Sequence, residues 1–192
     1  MTRITDGLGR GFEAGVDNTN HLLTEAVSKT IREDAMLKGE LFEIGTSVTL
    51  TGTTETAVVF FQNDQDRTVV LDRFEFSASD STGGTSDQML LTLYTNADGI
   101  TNGTASEPIN SNFGSGLKLV STFEFGNGST SAVTGGSQFG SSYIKFAGQS
   151  IFEGPWGVPR GSSFVLTATP PASNTSLPFT VRVLAHLERS TS

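Results

Sequence analysis

The chain contains no cysteine, which removes disulfides, thiolate metal sites and cysteine nucleophiles together. Long apolar runs are missing too. The longest, Ala57 to Phe61, is far short of the roughly 20 residues a membrane helix needs, so no membrane partner is expected. Basic residues are few and scattered. The only lysines are Lys29, Lys38, Lys118 and Lys145, and the net charge is -8. Binding to nucleic acid through phosphate neutralisation needs clustered Lys and Arg, and direct contact with DNA or RNA is not expected. Charged residues of either sign make up only 17% of the chain, below the roughly 25% of an average globular domain. The segment after Met1, TRITDGLGRGFEAGVDN, lacks the apolar core of a secretory signal, so synthesis in the cytoplasm is the expectation.

What is plentiful points to sheet. Among 192 residues stand 22 Gly and 14 Phe, with Ser and Thr filling the gaps between apolar runs. Large apolar rings suit the inner face of a packed sheet, and Gly with Ser supplies turns. The length allows one domain with a proper core plus an extension.

Strand signals become regular from Val48 onward. In PFTVRVLAHLE, Phe179, Val181, Val183, Ala185 and Leu187 alternate with Thr180, Arg182, Leu184, His186 and Glu188, giving one dry and one mostly wet face. LKLVSTFEF predicts Leu117, Leu119, Phe123 and Phe125 inward, and SFVLTAT predicts the same for Phe164, Leu166 and Ala168. TAVVFFQ is apolar on both faces, as for a central strand or one lying under an arm or partner. Turn clusters NDQD, STGGTSD, NADGITNG, GNGSTS, VTGGSQ and PPASNTSLP separate the runs. GPWGVPRGSS reads as a corner loop capped by the only Trp. About eight strands with no helical crossover predict an all-β fold, an antiparallel β-sandwich of jelly-roll type.

The N-terminal stretch reads differently. The boundary is expected at Gly45, with 1–45 as an extended arm and 46–192 as the sandwich. Residues 18–40, NTNHLLTEAVSKTIREDAMLKGE, admit two readings. As a helix, Leu23, Val27 and Ile31 fall at i, i+4 and i+8, with Asn20 as cap and Gly39 as stop. As an arm, HLLTEAVS and GELFEIG are extended runs. The arm is preferred for 1–28, with 29–38 left open to a short helix.

Catalytic templates are absent: there is no GxxxxGK[ST], GxSxG or HExxH. The paired carboxylates Asp72 with Glu75, and Asp64 with Asp66, have the residue types of a glycosidase, but turn chemistry for Asp64 and Asp66 and cross-strand ion pairing for Asp72 and Glu75 account for them better. Oxygen-rich turns NDQD and NADG carry ligand types suited to Ca²⁺, although ordinary turn chemistry already explains those residues. His186 reads as a surface or interface residue, and His21 has no ligand-spaced partner. No enzyme, cofactor or metal is therefore expected. Trp156, with Tyr94 and Tyr143, is a candidate platform for stacking on a sugar ring, and the alternative for Trp156 is a loop plug at the core edge.

The order of segments VDNTNHLLTEAVS, GELFEIG, TETAVVFFQNDQDRTVVLDRFEFSAS and VPRGSSFVLTATPPASNTSLPFTVRVLAHL resembles a group of tailed-bacteriophage virion structural proteins. The likeness rests on Val16, Asp17, Asn20 and Leu22 before the sandwich and on Asn63 and Arg67 in a hairpin. It implies a structural virion protein: a capsid decoration or cement protein, homotrimeric, that bridges major capsid proteins. The alternatives are a tail, neck or baseplate component and, from another class, a carbohydrate-binding module for host attachment. An arm that adds a strand to a neighbour suits repeated shells. Its apolar contacts would be Leu22, Leu23, Val27, Ile31 and Phe42. Val58, Phe60 and Leu184, apolar on the wrong face of their strands, are candidates for burial against another subunit or, equally, under loops of the same chain.

Overall fold

The computed structural model describes residues 30–79, 88–144, 150–171 and 176–188 in full, and the backbone alone of 3–5, 13–16, 22–23, 145, 148 and 149. The chain divides into two compact units, Met1–Ile31 and Arg32–Ser192. In the first, β1 (Arg3–Thr5), β2 (Glu13–Val16) and β3 (Leu22–Leu23) pair antiparallel in that order. These strands form a small sheet paired with itself, where an extended arm was expected.

Helix α1 (Ile31–Leu37) falls inside the 29–38 window. Gly39, at φ 70°, ends it as expected. Its amide and that of Glu40 bond back to Met36 and Ala35 carbonyls at 3.0 and 2.7 Å, closing the last turn as a left-handed glycine cap does.

The second unit contains β4 (Leu41–Thr51), β5 (Thr56–Asn63), β6 (Val69–Ala78), β7 (Gln88–Ile100), β8 (Thr104–Ser106), β9 (Ile109–Asn110), β10 (Ser121–Phe125), β11 (Val133–Lys145), β12 (Gly148–Val158), β13 (Ser163–Thr169) and β14 (Ser176–Leu187). They form two antiparallel sheets, ordered β11-β7-β13-β5-β10-β8 and β12-β6-β14-β4-β9. Strands β4 to β7 and β11 to β14 supply four neighbours to each sheet. The late strands β13 and β14 insert between early ones, β5/β7 and β4/β6 respectively. That interleaving is the double Greek key of a jelly roll, and the expected fold class stands.

The core follows the predicted alternation in the first part of β14: Phe179, Val181, Val183, Ala185 and Leu187 are all buried, but so are Leu184 and His186, which were expected on the outer face, so His186 is not a surface residue. Phenylalanine rings fill the space between the sheets: Phe74 on β6 meets Phe164 on β13 edge-on across it at 5.9 Å, and within one sheet Phe76 on β6 stacks on Phe179 on β14 at 6.2 Å. The run LKLVSTFEF yields only the short β10, with Leu119 and Phe123 buried and Leu117 exposed.

Two sequence expectations are corrected. The boundary at Gly45 falls inside β4, because Phe42 and Ile44 continue the period-two pattern of Val48 and Leu50 into the core. Both are 0% exposed and pair with Ala185 and Val183. Phe42 therefore belongs to this chain's own core and not to an arm. Gly45 misled as a break; it sits where a Cβ would come 3.1 Å from the Val181 carbonyl.

Val58 and Phe60 are likewise buried within the chain. A bulge in β5 opposite Leu166/Thr167 turns Val58 into the main core. Phe60 joins a second cluster with Ala57, Ala97 and Val165, against Tyr94, Ile100 and Val133. Neither needs a subunit to cover it.

Candidate functional site

The two sheets do not close at the β11 and β12 edge. Both strands break register there: β11 between Gln138 and Gly140, leaving Phe139 out of the ladder, and β12 between Glu153 and Trp156, leaving Gly154 and Pro155 out. Proline has no amide to donate and is confined to edges and bulges. A bulge bends the strand that carries it and interrupts its ladder. The result is a cleft between the sheets, floored by Phe74, Leu93 and Leu166, with Phe139 and Trp156 beside it. Phe139 is 64% exposed.

Trp156, expected in a corner loop, stands in a strand. Its ring meets Phe74 edge-on at 5.4 Å and lies across Gly154, where a Cβ would run into the six-membered ring. Glycine is required at this close approach. Gly154→Ala is expected to cost about 1–3 kcal/mol through overpacking and to unseat the indole. A lower thermal midpoint with a red-shifted tryptophan emission checks it, since Trp156 is the only tryptophan.

The titratable groups singled out in the sequence are engaged elsewhere. Asp72 holds the His186 Nδ1 at 2.9 Å. Glu75 pairs with Arg73 and, at 3.4 Å, with Arg182, which also binds Glu43 at 2.6 Å. The hydrogen bond to Glu43, against the cost of burial, raises the Arg182 pKa above its ordinary value. Asp64 accepts from Thr122, and Asp66 pairs with Arg160. Tyr94 donates to Glu55, and burial followed by that carboxylate raises its pKa. Among the described residues no cluster of three metal-ligating side chains occurs. Arg73, Glu75, Arg182 and Glu43 form one network across β6, β14 and β4, whereas Asp72, Asp64 and Asp66 are engaged separately.

Asn63 and Arg67, on which the virion resemblance partly rests, have a structural task. The fully buried Asn63 amide donates to the Arg67 and Val158 carbonyls at 2.9 and 2.8 Å and accepts from the Gln65 amide at 2.8 Å. The Arg67 guanidinium reaches Glu40 Oε1 and the Glu188 carbonyl. Together they tie the β5–β6 turn to the start of β4 and the end of β14.

The remaining interface candidates are dispersed. Leu22 and Leu23 lie in β3, and Val27 lies outside the described residues. Ile31 is 67% exposed and Leu184 6%. The exposed apolar surface the sequence reading missed gathers at another corner. Asn112 Nδ2 donates to the Met36 carbonyl at 3.1 Å and Asn110 Nδ2 to the Gly39 carbonyl at 2.7 Å. These bonds hold the loop after β9 against the end of α1, placing Met36, Leu37, Ile109 and Phe113 on one corner. Phe113 is 96% exposed. A phenylalanine in the Gly/Asn/Ser run INSNFGSG was the available signal. Phe139, in GGSQFGSS, was missed for the same reason: the surrounding turn residues masked it.

The chain is therefore a jelly-roll β-sandwich with an open inter-sheet edge. No protein-family model matches it, and no curated protein does. Among solved structures, the mitogen derived from Yersinia pseudotuberculosis is similar at 13% identity and a TM-score of 0.37, over 78% of this chain and 91% of that one. A likeness at that level carries no argument about function.

Proposed function

We propose that this chain is a non-enzymatic structural protein of a tailed-phage virion, a capsid decoration or cement protein that works as a homotrimer bridging major capsid proteins. The jelly roll serves capsid domains and lectins alike, so the fold does not choose between them. The observation that supports assembly is the apolar corner formed by α1 and the loop after β9. A phenylalanine 96% exposed beside Leu37 at 57% and Ile109 at 62% marks a surface meant for protein burial. The His186 ring on Asp72, Arg73 on Glu75, the Thr122 hydroxyl on Asp64 and Arg160 on Asp66 leave none of the carboxylate pairs poised for hydrolysis.

The test is attachment to purified shells. Phe113→Asp removes an exposed ring, so the thermal midpoint should not move while shell occupancy falls about tenfold, a loss of about 1.4 kcal/mol. A second variant lacking residues 1–29 asks whether the N-terminal unit adds to the grip, and should also fall off. Full occupancy by both variants would refute assembly through these surfaces. Imaging of native particles separates the locations: density repeated over the lattice supports a cement protein, and density confined to the tail axis moves the protein to the tail, neck or baseplate.

A further inference from the structure

The inter-sheet cleft has the form of a ligand site, and its lining specifies a chemistry. Its more apolar chamber, about 170 Å³ and open to solvent on one side, is lined mainly by hydrocarbon: Phe74, Leu93, Phe139, Phe152, Trp156 and Leu166, with Ser141 and Ser142 among the rest. A sealed apolar cavity of about 150 Å³ takes a benzene ring, so this volume has room for a single ring or a chain of about six carbons. A second chamber of about 330 Å³ shares Phe74, Leu93, Phe139 and Trp156 with the first and adds Thr95, Asn96 and Ser162. Among the described residues lining either chamber none is Asp, Glu, Lys, Arg or His. We propose that the cleft binds a small uncharged amphiphile, its ring or short chain in the apolar chamber and its hydrogen-bonding head toward Thr95, Asn96 and Ser162.

The lining rules against the nearest alternatives. A sugar ring would set hydroxyls against Phe74, Leu93, Phe152 and Leu166, where the described lining offers only Ser141 and Ser142 as partners, at a cost of about 1–3 kcal/mol for each hydroxyl left unpaired. A carboxylate head would meet no cation among the described lining residues to offset its desolvation. For Trp156 this favours a hydrocarbon neighbour over the glycan read from the sequence. The site does not depend on the virion reading, because none of its residues belongs to the corner of α1 and the loop after β9.

Gly140 gives a direct handle. It pairs with Leu93 on β7, next to the Ser142–Leu91 pair. Directly opposed residues in a sheet point to the same face, so a side chain at 140 would enter the cleft beside Leu93. A Cβ there meets no atom within 4 Å. Gly140→Leu should thus fill the apolar chamber from the wall.

The experiment titrates the full-length protein with benzyl alcohol and 1-hexanol while following Trp156 emission, with hexanoate and methyl glucoside as controls. The expected result is a saturable change with both alcohols, binding of hexanoate weaker by about tenfold, and no response to the glucoside. Gly140→Leu should weaken benzyl alcohol at least about tenfold with a thermal midpoint equal to wild type or higher. If that variant does not melt cooperatively, Gly140→Ala serves instead, with a loss of about threefold. No saturable response to the alcohols would overturn the proposal. So would a glucoside or hexanoate binding as tightly as they do, or a folded Gly140 variant that binds undiminished.

Discussion

A chain beginning at Gly45 should fail to fold, whereas one beginning at Thr30 should melt cooperatively at close to the full-length midpoint. The shorter chain loses Leu41, Phe42 and Ile44, at 5%, 0% and 0% exposure, from the strand that lies between β14 and β9 in the five-stranded sheet. It also loses Glu40, the carboxylate that Arg67 holds at 2.5 Å. Removing a buried Phe costs about 3–5 kcal/mol and a buried Ile about 2–5. Their sum rivals the whole stability of a domain, about 5–15 kcal/mol, before the lost ladder with β14 is counted. The longer chain keeps the entire Arg32–Ser192 unit. Circular dichroism melts of the two chains decide the matter. A cooperative transition in the Gly45 chain would mean that the first half of β4 is dispensable and the core misassigned.

The second large effect falls on one side chain. Asn63→Ala is expected to lower stability by about 3–5 kcal/mol, because three groups lose their partner at once: the Arg67 and Val158 carbonyls and the Gln65 amide. Leaving each buried polar group unsatisfied costs about 1–3 kcal/mol. For a chain of this size that lowers the midpoint by about 2–4 °C per kcal/mol. Asn63→Asp tells the donors from the volume. It keeps shape and acceptor but offers no N–H to the two carbonyls, so it should be at least as damaging at neutral pH as Ala. An Asp variant as stable as wild type would show that the turn does not depend on donation.

Much of the jelly roll was readable along the chain. The inward residues of β14 and β13 declare themselves by alternation, since a half-buried strand repeats every two residues whatever it packs against. The cap at Gly39 and the turn at Asn63 were readable for the same local reason. The ion pairs of Asp72 and Glu75 were anticipated as a class. Their partners His186, Arg73 and Arg182 were visible only as neighbouring charges.

What failed did so where a residue's surroundings come from distant parts of the chain. Gly45 looked like a domain break because glycine punctuates sequences, yet Ala185 and Val183 recruit Phe42 and Ile44 into the core from about 140 residues away. Val58 and Phe60 looked misplaced on a regular strand, and a bulge together with a second small cluster buries them. The cleft beside Trp156 left almost no trace, because a cavity is a property of the space between β11, β12 and the strands beneath.

The amino-acid order by itself determined an all-β domain without thiol chemistry and the facing of its most regular strands, because backbone geometry imposes those periods locally. Tertiary structure alone decided where the domain starts, which odd-faced hydrophobes are covered and which are left on the surface, and that the sheets stand apart at one edge. Those depend on which strands become neighbours, and adjacency across a hundred residues is set by the summed packing of the whole core and by no stretch within it.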